Sequence, residues 1–343
     1  MMWNCRIKFV PALRIRKPTL APDAEKEALC LRTVFMGTPD FAVPCLQGLI
    51  DEGHEVAAVF TQPDKPKGRG YTLAPPPVKV LALSHDIPVY QPKTLKNGEA
   101  FALLKELAPE LIVVVAYGKL LPGVILTLPR HGCINVHASL LPQYRGAAPI
   151  QWSVLRGEEK TGVTTMFMDE GLDTGDMLLR EETAIGPDET AGEVHDRLAL
   201  LGAGLLIRTL EQLEAGTLVR TPQPEGTDVF YASMLDKSLC GIDWNKPAQT
   251  VHNLVRGLNP WPTASTKWQG KTLKIHRTRL LGEATGAPGE ILSLHPLTVC
   301  CGDGRALELC EVQYEGGKRM AAADFLRGHP ISLPAAIGGK PNE

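Results

Sequence analysis

Several familiar sequence signatures are missing from this 343-residue chain, and each absence argues against a class of protein. Its eight cysteines form no C-x-x-C pair, which argues against a zinc site or a disulfide framework and favours a reducing compartment. No apolar run approaches the roughly 18 residues of a membrane helix. The nucleophile motif G-x-S-x-G and the phosphate-binding motif G-x-x-x-x-G-K-[ST] are also absent. We therefore expect a cytoplasmic protein with neither a metal site nor a membrane partner.

The first 22 residues contain no acid. Five basic residues precede the first acid, Asp23. The segment has no continuous apolar core of a secretory signal, and it has no serine, unlike a transit peptide. We expect residues 1–30 to be a disordered extension.

The pattern that follows predicts an α/β fold. Residues 31–36 are typical of a strand, residues 37–41 of a tight turn, and a helix is expected to about Glu52 before a strand at 55–60. The turn has one glycine where a dinucleotide fold would show G-x-G-x-x-G, which disfavours a nicotinamide site. The β-branched run 111–116 is typical of a central parallel strand, and residues 132–136 predict a further buried one.

The second part of the chain has a different pattern. A long helix over 190–215 ends at Gly216, and residues 217–238 contain prolines without clear periodicity. Short runs at 263–268, 271–280, 289–294, 297–301 and 305–312 predict a small β-barrel. We therefore expect a catalytic domain at 31–216, a linker at 217–238 and a second domain at 239–343.

Three polar residues carry the chemistry that the sequence suggests. Asn135 and His137 share one face of a strand, because side chains repeat with a period of two. Asp173 lies in an acidic, glycine-rich turn that follows the predicted strand 161–168, and we expect this strand end to lie at the same edge of the sheet as His137. Taken singly, they could be a loop cap, a buried histidine and a turn residue. Together they predict proton transfer and oxyanion stabilisation without a covalent intermediate, as in acyl or one-carbon transfer.

Basic residues are segregated along the chain, although its net charge is −2. The 61–77 loop carries Lys65, Lys67 and Arg69. Residues 244–282 contain no acid, and their seven basic residues are Lys246, Arg256, Lys267, Lys271, Lys274, Arg277 and Arg279. Each segment could be a solvated surface, but basic residues interleaved with tryptophans on a small barrel favour binding to an RNA backbone.

These motifs resemble the folate-dependent formyltransferase family. The resemblance is carried by S-L-L-P-Q-Y-R-G-A-A-P at 139–149, preceded by Asn135 and His137, together with L-D-T-G-D at 172–176 and M-G-T-P-D-F at 36–41. It covers residues 31–330 and leaves the amino-terminal extension unexplained. It implies a Rossmann-like catalytic domain followed by an OB-like domain. It also implies formyl transfer from 10-formyltetrahydrofolate to the methionine α-amine of initiator methionyl-tRNA.

The resemblance also implies roles for individual residues. Asn135 and His137 would stabilise the oxyanion, and Asp173 would orient His137. Ser139, Leu140, Leu141 and Pro142 would border the folate, with no catalytic role for Tyr144 or Arg145. Lys65, Lys67, Arg69, Lys271 and Lys274 would contact tRNA.

Two alternatives stay open, and we expect a monomer in each case. The first is a formyltransferase acting on a nucleotide sugar or a purine precursor, which would need neither basic segment. The second is a non-catalytic RNA-binding relative, which would need none of the three polar residues. Formyl transfer to charged, but not uncharged, initiator tRNA would distinguish them.

Overall fold

The computed structural model describes residues 31–67, 72–224, 226 and 228–338. Its strands are β1 (Arg32–Gly37), β2 (Glu55–Phe60), β3 (Lys65–Lys67), β4 (Thr72–Ala74), β5 (Val89–Tyr90), β6 (Leu111–Val115), β7 (Cys133–His137), β8 (Arg145–Gly146), β9 (Lys160–Phe167), β10 (Met177–Ala184), β11 (Tyr231–Ala232), β12 (Ser265–Trp268), β13 (Lys271–Glu283), β14 (Ile291–Leu294), β15 (Leu297–Cys300), β16 (Arg305–Tyr314) and β17 (Arg319–Ala321). Its α-helices are α1 (Val43–Asp51), α2 (Pro77–Ser84), α3 (Glu99–Leu107), α4 (Gly123–Leu126), α5 (Pro149–Leu155), α6 (Ala191–Glu214), α7 (Ala248–Gly257) and α8 (Ala322–Gly328).

The first half of the chain forms a seven-stranded sheet in the order β10-β9-β7-β6-β1-β2-β5. The five strands from β7 to β5 are parallel, while β9 is antiparallel to both β7 and β10. Every residue of β6 is buried, as its β-branched composition predicts. This arrangement confirms the predicted α/β fold with a mostly parallel sheet.

Helices cover both faces of this sheet. On β1, Phe35 points into the cluster that contains α1 and α6, whereas Val34 and Met36 point into the cluster that contains α3 and α4. This alternation follows from the two-residue period of a strand. The long helix α6 begins at a capping box, in which Thr190 and Glu193 satisfy each other's backbone N–H groups.

The second half forms an antiparallel sheet in the order β12-β13-β16-β15-β14, and β17 pairs with β16. Its strands confirm the run of short strands that the sequence predicts there. Its core includes Trp268, packed edge-on against Phe325 of α8 at 5.2 Å between ring centroids. Trp152 and Leu155 of α5 pack against the same core, so apolar contacts join the two halves.

Two segments predicted as irregular have defined neighbours. Within 61–77, β3 and β4 pair as an antiparallel hairpin. Within 217–238, Thr221 bridges to Met177, and β11 runs parallel to β8. The 217–238 segment therefore lies along the first domain. Within the described ranges, none of the helices is both long and apolar enough to cross a bilayer.

Candidate functional site

A cavity of about 600 Å³ opens where the carboxyl ends of β1, β6 and β7 meet. The chain leaves β1 toward β2 and β5 and then returns to β6 on the other side of β1. In open α/β sheets such a switch point is where ligands bind. Each strand contributes to the wall, through Pro39 after β1, residues 116–120 after β6, and residues 135–138 at the end of β7.

The imidazole of His137 is held in one tautomer by the backbone. Its Nε2 lies 2.9 Å from the carbonyl oxygen of Tyr144. Because a carbonyl oxygen only accepts hydrogen bonds, Nε2 carries the hydrogen, and Nδ1 of the neutral ring is the proton acceptor. Nδ1 lies 3.7 Å from Oδ2 of Asp173. This separation is too long for a direct hydrogen bond, but the carboxylate stabilises the ring electrostatically once Nδ1 is protonated.

Asn135 faces the same cavity and is 8% exposed. Its Nδ2 lies 3.5 Å from Oδ1 of Asp173, at the outer limit of hydrogen bonding. Such a weakly engaged amide keeps donor capacity for an oxygen inside the cavity. Asn135, His137 and Asp173 are therefore brought together, as the sequence predicts.

The route by which Asp173 reaches the site differs from the expectation. We expected it to follow a strand end on the same edge as His137, but β9 is antiparallel to β7, so its carboxyl end lies at the opposite edge. The loop after β9 folds back across the sheet instead. Gly175 permits this return, since a Cβ there would lie 1.9 Å from the carbonyl oxygen of Phe167.

The carboxylate of Asp173 is fixed by the loop after β7. Its Oδ2 accepts a hydrogen bond from the backbone N–H of Gly146 at 2.9 Å. Asp173 itself has φ +54°, a left-handed conformation that is uncommon for a residue with a side chain. The carboxylate is thus held by backbone contacts and does not depend on His137 for its position.

Residues 139–142 are not among the residues that line this cavity, and their contact with folate stays a prediction. Ser139 and Leu141 are fully buried against β9: Leu141 N–H donates to Oγ1 of Thr164, which in turn donates to the carbonyl of Ser139. Leu140 lines a separate cavity of about 280 Å³, and Pro142 is half-buried. These hydrogen bonds hold residues 139–142 against β9, and so fix the start of the loop that follows His137.

The side chain of Tyr144 does not line the 600 Å³ cavity but lines the separate 280 Å³ cavity. Its hydroxyl donates to the carboxylate of Glu158, and burial is the main reason that the pKa of Tyr144 is raised. Its contribution to the site is its carbonyl oxygen, which fixes His137. This agrees with assigning it no catalytic role.

The cavity also contains residues that the sequence analysis passed over. Lys119 lines the wall, and its Nζ donates to the carbonyl oxygens of Pro92 and Lys93; burial lowers its pKa. The neighbouring Tyr117 is buried, which raises its pKa to about 12. Both residues follow the carboxyl end of β6. In α/β sheets, ligands bind at the carboxyl ends of strands, so the same reasoning that singled out the end of β7 would have found them.

All three arginines of the acid-free segment 244–282 make hydrogen bonds or ion pairs within the protein. Arg256 is buried and donates to the carbonyls of Gly186 and Glu189. Arg277 and Arg279 pair with Glu193 and Glu308. These acids lie outside 244–282, so local charge counting could not reveal them.

The structure describes the side chains of three of the five basic residues predicted to contact tRNA. Lys65, Lys271 and Lys274 are exposed. Lys67 ends β3, and its side chain is outside the description, while Arg69 lies outside the described residues. These three exposed lysines are thus accessible to a polyanion.

Comparisons with known proteins agree with this architecture. Residues 31–210 match the family model described as "Formyl transferase", and residues 234–330 match "Formyl transferase, C-terminal domain". The chain is 51% identical over 311 residues to a protein of Pelotomaculum thermopropionicum named "Methionyl-tRNA formyltransferase", covering 90% of this chain and 99% of that protein. A protein of the same name from Geobacter metallireducens is 53% identical over 310 residues, with the same coverage of both chains.

Solved structures of more distant proteins share the fold. WlaRD, a sugar 3N-formyl transferase, superposes with a TM-score of 0.64 at 17% identity, covering 84% of this chain and 99% of that one. The N-formyltransferase from Helicobacter canadensis gives 0.63 at 17% identity, covering 83% and 100%. Because its two domains match the two family models and relatives match along nearly their whole length, this chain belongs to the formyl transferase family.

Proposed function

We propose that this protein transfers a formyl group from 10-formyltetrahydrofolate to the α-amine of methionine on initiator methionyl-tRNA. The observation that supports it most directly is the convergence of Asn135, His137 and Asp173 on one cavity. The two relatives described above, at 51% and 53% identity, carry the name of this activity. The donor supplies an activated formyl carbon bound to nitrogen.

The three side chains match the needs of this reaction. An α-amine has a pKa of about 7.7 to 8.0, so a useful fraction is neutral and nucleophilic near pH 7. As the amine adds to the formyl carbon, the carbonyl oxygen becomes negative, and Nδ2 of Asn135 donates to it. Nδ1 of His137 takes the proton that the amine loses and returns it to the departing folate nitrogen, while Asp173 stabilises the protonated ring.

The cavity suits the donor. Its volume of about 600 Å³ lies within the range of roughly 300 to 1,000 Å³ common for small-molecule sites. Its walls combine apolar side chains, such as Val114 and Met166, with the backbone after β6. A flat, polar-edged pterin fits such a lining. We therefore propose that the folate lies against residues 116–120, and the contact with residues 139–142 that the family resemblance implies stays part of this proposal.

We propose that the acceptor end of a tRNA enters the cavity past Met234, Lys237 and Lys274. Met234 lines the cavity and is 76% exposed, so it lies where the cavity opens to solvent. Six residues on, burial raises the pKa of Cys240, whereas the charges of Lys274 and Lys237 lower it, so both lysines lie near that thiol. A single-stranded end could pass these lysines and present its amino acid to His137, with its phosphates neutralised on the way.

The proposal is tested by comparing three possible formyl acceptors. The protein would be incubated with 10-formyltetrahydrofolate and, in separate reactions, initiator methionyl-tRNA, the uncharged tRNA or a nucleotide-linked amino sugar. We expect formyl transfer to the charged tRNA alone. Transfer to the amino sugar, or to no acceptor, would refute the proposed function.

A further inference from the structure

The side-chain amide of Gln223 bridges the interdomain segment and the catalytic loop. Its Nε2 donates to the carbonyl oxygens of Asp173 and Gly175, both at 2.8 Å. Its Oε1 accepts from Nε and Nη2 of Arg145 at 2.9 and 2.6 Å. Both amide hydrogens and both oxygen lone pairs are thus used, which fixes the orientation of the group.

Arg145 anchors this bridge. Its side chain is 8% exposed, and of the residues that the structure describes, only Gln223 accepts hydrogen bonds from its guanidinium. A buried charge needs such an acceptor, so Arg145 and Gln223 hold each other in place. The backbone of Arg145 is fixed as well, because it pairs with Tyr231 between β8 and β11.

Asp173 is the residue that this bridge constrains. Its left-handed conformation persists only where the surroundings determine it, because such conformations are costly away from glycine. Gln223 holds its carbonyl oxygen, and the N–H of Gly146 holds its carboxylate. The two contacts together decide where the carboxylate lies relative to His137.

We infer that Gln223 is a positioning residue for formyl transfer, acting through Asp173. This inference rests on the proposed function, because the reaction defines what Asp173 must do. It ties the part of the 217–238 segment around Gln223 to the catalytic site. Catalysis then depends on that segment lying along the first domain, which couples the placement of the second domain to the chemistry.

Gln223→Glu separates the two halves of the bridge. The carboxylate still accepts from Arg145, but it cannot donate to Asp173 or Gly175. Gln47→Glu is the matched control, since among the described residues the side chain of Gln47 makes a surface hydrogen bond with Asp51 and none with the site. We expect Gln223→Glu to lower kcat about 10- to 100-fold, as small displacements of catalytic groups do. We expect the KM for folate to stay within error of that of the control and the melting temperature to fall modestly, because the carbonyls of Asp173 and Gly175 lose their donor.

A double-mutant cycle shows whether the effect passes through Asp173. In an Asp173→Asn background, Gln223→Glu should cost less than twofold in kcat, because the group that it positions is already disabled. An equal loss in both backgrounds, or wild-type kcat in the single variant, would overturn the inference. If the unaltered protein formylates no methionyl-tRNA, the proposed function fails on its own.

Hydrogen–deuterium exchange tests the geometry independently of activity. We expect Gln223→Glu to raise exchange in the peptide covering residues 169–176 and to leave the control unchanged. Unaltered exchange there would show that Gln223 does not hold the loop, and would overturn the inference whatever the substrate is.

Discussion

Changing Asn135 probes the site most informatively, because two substitutions that remove the same donor should differ in their effect on stability. Asn135→Ala removes an oxyanion donor, and we expect kcat to fall by about 10²- to 10³-fold. The fold should hold, since the amide makes only a 3.5 Å contact with Asp173. Asn135→Asp removes the same donor but adds a second carboxylate at that separation.

The cost of Asn135→Asp follows from Coulomb's law. Two unit charges 3.5 Å apart repel by about 4 to 5 kcal/mol at an effective dielectric constant of about 20. The variant should therefore lose unfolding free energy at pH 7.5 and recover part of it at pH 5, where a shared proton relieves the repulsion. Urea denaturation at both pH values measures this, with Asn135→Ala as the control. Equal stability of the two variants at pH 7.5 would refute the placement of Asp173 beside Asn135.

Three further changes test other parts of the structure. Replacing Lys271 and Lys274 by alanine should weaken tRNA binding and reduce the salt slope by up to about 2, without changing the KM for folate, as a salt titration would show. Gly175→Ala forces a Cβ to within 1.9 Å of the carbonyl oxygen of Phe167, so kcat and the melting temperature should both fall; unchanged values would mean that the loop has room. Burial lowers the pKa of His252 from 6.5, so protonation favours the unfolded chain and unfolding free energy should fall as the pH drops below 6.5. His252→Gln should reduce that dependence, which denaturant titrations across pH 5 to 8 would measure.

Local patterns predicted much of the first domain. The β-branched run of β6 and the polar pair at the end of β7 depend on side-chain period and burial, which are readable from neighbouring residues. The sequence also predicted that Asn135, His137 and Asp173 lie close together. That prediction assumed that β9 ends at the same edge of the sheet as β7, which is wrong. The antiparallel direction of β9 depends on partners that lie far away in sequence.

Long-range contacts account for what the sequence did not reveal. From the sequence alone, Arg256 is indistinguishable from an exposed basic residue. It is buried, and the carbonyl oxygen of Gly186, 70 residues away in sequence, accepts a hydrogen bond from its guanidinium. Gln223 sits among prolines in a segment without periodicity, and its contacts reach back to Arg145. The folate contact of residues 139–142 follows from the family resemblance alone, whereas their packing on β9 depends on Thr164, which lies 23 residues after Leu141.

The claim that Nδ1 of His137 moves the proton is tested most directly by single-turnover transfer. The wild-type protein and His137→Ala would be saturated with 10-formyltetrahydrofolate and mixed with initiator methionyl-tRNA. The geometry predicts a rate about 10²- to 10³-fold lower for the variant, with both substrates still bound. A variant rate close to that of the wild type would contradict the assignment of this cavity as the catalytic site.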